Sequence, residues 1–102
     1  MPLYNPEDRT LRILNITNFV LLPNTALLDI GNESTRESFI ITNSSSAIVF
    51  VNFDEDEITF TSFHVRIPAN NSYSPPTFLK AKINVRNSSS SVNATIKLVE
   101  FG

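Results

Sequence analysis

The chain contains no cysteine. This absence excludes a disulfide framework and metal sites built from thiolates, and it leaves the redox compartment of the protein open. A chain of 102 residues is long enough for one domain with a sizeable core but too short for two. The fold must therefore be stabilised by that core or by contacts with partner subunits.

Glycine and histidine are also scarce, and their scarcity bears on catalysis. Only two glycines are present, and Gly31 is the one inside the chain, which excludes the glycine-rich loops that cradle phosphates. His64 is the single histidine, and no Gly-x-Ser-x-Gly motif accompanies it to position a serine nucleophile. We expect His64 to be a half-exposed strand residue. The sequence therefore predicts no enzymatic activity, no catalytic residue and no cofactor.

A strong excess of one charge is missing as well. Eight basic and ten acidic residues give a net charge of -2, and no block of Lys or Arg is available to neutralise a run of phosphates, so we expect no nucleic-acid partner. The acidic run at residues 54–57 has the oxygen atoms that Ca²⁺ prefers, but it lacks the glycine and the ligand spacing of a calcium loop. We interpret it as a solvated hairpin tip and expect no bound metal.

Long apolar runs are absent. The longest clusters, "FVLLP" and "AIVFVNF", are far shorter than the roughly 20 residues that a membrane-spanning helix needs. The start "MPLYNPEDRT" has no basic segment followed by an apolar run, so we expect no secretory signal. The sequence thus predicts a soluble protein without a membrane partner.

What is present is an alternation of apolar and polar residues, which is typical of β-strands. Every second residue is apolar in "LKAKINVR" (79–86) and in "VNATIKL" (92–98), and "NSSSS" lies between these segments. We interpret them as an antiparallel hairpin with a polar turn. By the same reasoning "SFIIT" (38–42) and "AIVFVNF" (47–53) form a second hairpin around "NSSS".

No window of the chain keeps the i, i+3, i+4, i+7 spacing of an amphipathic helix. The sequence therefore predicts an all-β fold: an antiparallel β-sandwich, immunoglobulin-like or jelly-roll-like, with seven to eight short strands. Residues 11–102 form the single domain. Residues 1–10 differ in composition, with Pro2, Pro6 and several charges, and we interpret them as an extended N-terminal arm or a disordered tail.

Two groups of residues are candidates for contacts with other molecules. The arm and the first strands carry apolar residues that we expect to contact a larger assembly or another subunit, namely Leu3, Tyr4, Leu11, Ile13, Phe19 and Leu21. The segment "ANNSYSPP" reads as a surface loop with two stiffening prolines. Its candidate contact residues are Asn70, Asn71 and Tyr73.

Three segments in order, "STRESFIITNSSSAIVFVNF", "RIPANNSY" and "ATIKLVEF", resemble the layout of small tailed-bacteriophage virion proteins. The resemblance covers roughly residues 25–101 and departs from the pattern at "IPANNSY", which lacks the loop glycine. It implies a non-enzymatic structural role, most simply a capsid decoration or head accessory protein. The implied partners are the major capsid protein or other virion proteins, and the implied location is the capsid exterior after synthesis in the host cytoplasm. The matching positions are Arg36 and residues 39–43, 49–53, 67–73 and 95–101.

Symmetric shells favour cyclic assemblies, and we expect a homo-oligomer, with a trimer as the working hypothesis. Two alternatives stay open. One is a phage tail or neck component. The other is a carbohydrate-binding or adhesin-like β-sandwich that uses Asn70, Asn71 and Tyr73. An enzyme that depends on His64 ranks third.

Overall fold

The computed structural model describes residues 11–31, 35–76 and 79–102, and within these residues all regular structure is β-strand. The all-β prediction is therefore confirmed. The N-terminal arm, with the predicted contacts Leu3 and Tyr4, lies outside the described residues. The strands are β1 Ile13–Leu21, β2 Ala26–Leu27, β3 Ser38–Asn43, β4 Val49–Phe53, β5 Val65–Ile67, β6 Asn71–Tyr73, β7 Ile83–Asn87 and β8 Ala94–Phe101.

The strands form two antiparallel four-stranded sheets. The first sheet has the order β1-β8-β3-β6 and the second the order β2-β7-β4-β5. Four of the pairings join β1 to β8, β2 to β7, β3 to β6 and β4 to β5, so the chain runs as one long double-stranded ribbon wound around the core. This arrangement is an eight-stranded jelly roll, which decides between the two predicted sandwich types.

Both predicted hairpins are wrong. β3 lies in the first sheet and β4 in the second, and β7 and β8 are likewise in opposite sheets. The "NSSS" and "NSSSS" segments therefore cross the sandwich from one sheet to the other instead of reversing the chain within a sheet. Alternation tells which residues share a face of a strand, but it does not identify the neighbouring strand.

The core lies between the two sheets and consists of the inward residues of the central strands. Phe39 and Ile41 of β3 face Val49 and Val51 of β4, and all four are fully buried. The rings of Phe39, Phe53 and Tyr73 meet at centroid distances of 5.9 to 6.4 Å. Burial of this apolar surface, at about 25 cal/mol per Å², is the main source of stability in a chain without cysteine.

An asparagine side chain holds the first crossing segment in place. The amide nitrogen of Asn43, at the end of β3, donates to the carbonyl oxygens of Ala47, Ile67 and Pro68 at 2.7, 3.3 and 3.2 Å. Its amide oxygen accepts from the backbone N–H of Ser45 at 3.1 Å. Asn43 is fully buried, so its hydrogen bonds replace those that these backbone groups would make with water.

The second crossing segment repeats this arrangement. Asn87 ends β7, is fully buried, and donates to the carbonyls of Leu21, Leu22 and Val92 at 3.1, 3.2 and 2.8 Å. Its amide oxygen accepts from the N–H of Ser89 at 2.9 Å. The two "NSSS" segments of the sequence therefore share one structural role: the asparagine side chain of each anchors a strand end to a neighbouring edge.

The two halves of the fold are related by an approximate internal two-fold symmetry. If β1 to β4 are mapped onto β5 to β8, each sheet order becomes the other. The turns after β1 and β5 match as well, since Asn24 and Asn70 both have a left-handed φ of 57°. Asn24 donates its N–H to Ser89, and Asn70 donates its N–H to Ser45. The crossing segments thus anchor the turns of the opposite half.

The connection between β4 and β5 covers the outer face of the second sheet. Asn52 donates to the carbonyls of Glu57 and Ser62, both at 2.8 Å, and Asn84 donates to that of Glu55 at 2.8 Å. These bonds hold the segment against the sheet, and regular strand structure resumes only at β5. Residues 54–57 are exposed between two paired strands, in agreement with a solvated hairpin tip.

Candidate interaction surface

β1 is the most exposed edge of the sandwich. It pairs with β8 along one side, and no strand of the described residues pairs with its other side. The other three edge strands have only two or three residues, and short edges are one way in which proteins prevent edge-to-edge association. β1 has nine residues, "ILNITNFVL", without charge or proline. It is therefore the only long edge in the described structure.

Apolar side chains of β1 point outward as well as inward. Phe19 packs against the core and Leu21 belongs to it, whereas Ile16 and Val20 are 51% and 64% exposed on the outer face. A strand with apolar residues on both faces is typical of a covered strand. Here only one face is covered by the residues that the structure describes.

The outward apolar surface continues across the first sheet. Ile16 lies opposite Val99 of β8, which lies opposite Ile40 of β3. In the neighbouring row, Ile13 lies opposite Phe101, and Ile13 is 60% exposed. We call these five residues together with Val20 the outer apolar surface. Ile13, Ile16 and Val20 are its exposed members, and the other three are half-buried. The row of Asn18 and Lys97 separates Val20 from the rest. Grouped apolar residues on the outside of a small domain indicate an interaction site.

The structure corrects part of the predicted contact set. Ile13 is on the outer apolar surface and Leu11 is half-buried just before β1. Phe19 and Leu21 point into the sandwich: Leu21 is buried in the core, and Phe19 is half-buried against it. The sequence analysis did not select Ile16 and Val20. Their spacing from Phe19 and Leu21 along the strand puts them on the opposite face, and this pattern was visible in the sequence.

The predicted loop contacts are also partly corrected. Asn70 and Asn71 are exposed, and Asn71 donates to the carbonyl of Ala69 at 2.8 Å. Tyr73 belongs to β6 rather than to a loop. Its ring packs against the core and is half-buried.

A second aromatic cluster lies on the outer face of the second sheet. The rings of Phe50 and Phe63 stack at 4.3 Å, and Phe60 meets Phe50 edge to face at 6.0 Å. The guanidinium of Arg86 lies 4.8 Å above Phe60 and donates to the side chain of Asn24 at 2.8 Å. Phe60 remains 49% exposed.

His64 and the acidic run make local contacts. The ring nitrogen Nδ1 of His64 accepts from the N–H of Phe53 at 3.1 Å, and Nε2 lies 4.0 Å from Glu55. Asp54 accepts the N–H of Lys82 at 2.9 Å. Among the residues that the structure describes, no three His, Asp or Glu side chains are grouped so that they could hold a metal ion.

Comparisons of the chain with protein-family models, curated proteins and solved structures found no match. In the described ranges there is no helix long and apolar enough to cross a membrane.

Proposed function

We propose that this protein is a non-enzymatic structural component of a virion that decorates or stabilises the exterior of a bacteriophage capsid. The observation that carries the proposal is the nine-residue, uncharged β1 edge beside the outer apolar surface. A protein that attaches to a shell needs a compact folded unit and an adhesive surface. The strand edge supplies backbone hydrogen bonds to a neighbouring molecule of the assembly, and the outer apolar surface supplies the contact with the shell.

Two further observations support this proposal. The eight-stranded jelly roll is an architecture that viral capsid and lectin domains use, although a fold alone does not determine a function. The segments that resemble phage virion proteins contain β3, β4, β6 and β8, so the resemblance follows the framework of the sandwich. The proposed partner is the major capsid protein or another virion protein.

The direct test is to follow the protein through a density gradient of virus particles from the culture that produces it. We expect the protein to migrate with the particles, and we expect antibodies to label intact particles on the head. Labelling of the tail or neck would favour that alternative assignment. Recovery of the protein only in the particle-free fractions would overturn the virion role.

A deletion tests the attachment role of the N-terminal segment. Removal of residues 2–10 is expected to reduce the amount of protein on particles by about tenfold or more, because it removes the apolar side chains of Leu3 and Tyr4. A tenfold loss of affinity corresponds to about 1.4 kcal/mol of binding free energy. The measurement is quantitative immunoblotting of purified particles. The double variant Leu3→Ser, Tyr4→Ser keeps the full chain length and loses only the two apolar side chains, so it separates their effect from the effect of a shorter chain.

We expect the deletion variant to remain folded, since every described strand begins after residue 10, and circular dichroism of the purified variant checks this. Full occupancy of particles by the deletion variant would show that attachment lies elsewhere, with the outer apolar surface as the next region to mutate.

One observation favours a carbohydrate-binding module as the second candidate. Phe60 exposes half of its ring beside a guanidinium and an asparagine side chain, and aromatic rings with nearby polar groups suit ligands that are partly apolar and partly polar. For this candidate function we propose Phe60 as the glycan contact in place of Tyr73, whose ring packs against the core. Glycan-array binding that is saturable and is lost in Phe60→Ala would support this function, whereas unchanged binding in that variant would exclude the site.

A further inference from the structure

The backbone groups at the free edge of β1 can be assigned from the hydrogen bonds of its neighbour. The carbonyl of Thr95 in β8 accepts the N–H of Ser44, which continues the β3 register, at 3.0 Å. The N–H and C=O of one residue in an antiparallel strand point to the same side, and successive residues alternate. Thr95, Lys97 and Val99 therefore point their backbone groups toward β3.

The partners of these three residues in β1 point the other way. Val20 lies opposite Thr95, Asn18 opposite Lys97 and Ile16 opposite Val99. The N–H and C=O groups of Ile16, Asn18 and Val20 are consequently directed to the free edge. The other end of β8 agrees, because Arg12 and Gly102 exchange both of their backbone hydrogen bonds, which sets the same alternation.

The three edge-pointing residues are symmetric about Asn18. If two copies of β1 run antiparallel with a two-fold axis at Asn18, then Ile16 of each copy faces Val20 of the other, and Asn18 faces its own counterpart. Each such pair can form two N–H to O=C hydrogen bonds. The free groups of one edge are thus matched by those of an identical edge.

The side chains fit the same pairing. Ile16 and Val20 are exposed on the outer face, and β-branched residues that lie opposite each other across strands pack favourably. Two such apolar pairs would flank a central pair of Asn18 amides, which can hydrogen-bond to each other. β1 carries no charged residue, so two copies meet without like-charge repulsion.

We propose that this protein forms a two-fold homodimer through antiparallel pairing of β1 with β1, centred on Asn18. The pairing joins the first sheets of two chains into one eight-stranded sheet. Because the axis is perpendicular to the sheet, the outer apolar surfaces of both chains lie on the same side and form one larger docking face. The docking role of this face rests on the proposed capsid function, whereas the dimer itself rests on the β1 edge alone. The dimer takes the place of the expected trimer, since self-pairing of an edge uses a two-fold axis.

Sedimentation velocity of the purified full chain over a wide concentration series tests the proposal. A single pair of nine-residue strands buries less than the roughly 1,200–2,000 Å² of a standard stable interface, so we expect a reversible monomer–dimer equilibrium in the micromolar range. Asn18→Pro removes an outward N–H without removing a bond to β8, and Val20→Lys adds a charge at the edge. Either substitution is expected to weaken association by about tenfold or more.

The matched control is Ser72→Lys, which adds the same charge to the exposed face of the opposite edge strand, β6, of the same sheet. We expect this variant to dimerise like the unmodified chain. A wild-type chain that stays monomeric, a wild-type trimer, or dimers that persist unchanged in Val20→Lys would each overturn the proposal. Thermal melting of both β1 variants shows whether they remain folded.

Hydrogen exchange of the wild-type chain provides a second test of the dimer that needs no variant. The amides of Ile16, Asn18 and Val20 are expected to become protected as concentration rises, while the exchange of exposed amides in residues 54–57 stays constant. These experiments use no particles. A dimer that fails to bind virions would refute the capsid role and leave this inference intact, and particle binding by a strict monomer would do the reverse.

Discussion

Replacement of Glu100 by alanine is expected to lower the free energy of unfolding by about 3–5 kcal/mol, because it leaves a buried cation without its partner. The Glu100 side chain is fully buried, and its Oε2 accepts from Arg36 Nη1 at 2.9 Å. The side chain of Arg36 is 93% buried and also donates to the carbonyl of Ala81. Its guanidinium lies 5.6 Å from the centre of the Phe39 ring, and alanine would leave this charge in an apolar setting.

The measurement is urea unfolding of the purified chain followed by circular dichroism. A domain of this size has a total stability of about 5–15 kcal/mol, so the variant should be largely unfolded under conditions in which the parent is stable. Glu55→Ala is the matched control: it removes a carboxylate that faces His64 at 4.0 Å on the surface. We expect that change to cost less than about 1 kcal/mol.

The double variant Arg36→Met, Glu100→Leu separates the pair from the packing around it. Removal of both charges relieves the desolvation penalty, so this protein should be more stable than Glu100→Ala alone. A double variant that loses the sum of the two single effects would contradict a coupled ion pair and would indicate that each side chain acts through its own packing.

The fold class was predictable because alternation of apolar residues reports directly on strands. The segments assigned at residues 38–42 and 47–53 coincide closely with β3 and β4. Pairing was not predictable, because the alternation is equally satisfied whether the next strand joins the same sheet or the facing one. In this chain the choice depends on where the amides of Asn43 and Asn87 find their carbonyl partners, and those partners are distant in sequence.

The candidate surface was predictable only in part, for a related reason. The first strand reads as apolar on both faces, but its place at a sheet edge follows from its pairing with β8, some 80 residues later. Without that pairing, Phe19 and Leu21 are as plausible a contact pair as Ile16 and Val20. Glu100 shows the same limit: it shares the inward phase of Ile96 and Leu98, yet only the structure brings Arg36 to it.

The second large effect is expected at the crossing segments. Asn87→Ala should lower the free energy of unfolding by about 2–4 kcal/mol, since a buried polar group that loses its hydrogen bond costs about 1–3 kcal/mol. The substitution removes the donor shared by the carbonyls of Leu21, Leu22 and Val92. It also removes the acceptor for the N–H of Ser89. Thermal and urea unfolding of the variant measure the loss.

Asn87→Asp tests the role of the amide N–H donors of Asn87. Aspartate keeps the oxygen that accepts from Ser89, but it places a second oxygen against three carbonyls, so the variant should be at least as unstable as Asn87→Ala. A stable Asn87→Asp protein would show that the turn at Ser89, and not the anchoring of the β1 end, carries the effect. The exposed Asn71→Ala serves as the control, with an expected change of about 0.5 kcal/mol or less.

The internal symmetry of the fold turns this into a paired prediction. Asn43 makes the equivalent contacts to the end of β5, so Asn43→Ala should cost a similar amount. The two asparagines share no hydrogen-bond partner, and for this reason their effects should add in the double variant. A large effect at Asn87 with a negligible one at Asn43 would mean that only the nine-residue β1, and not the three-residue β5, depends on an anchored end for its place in the sheet.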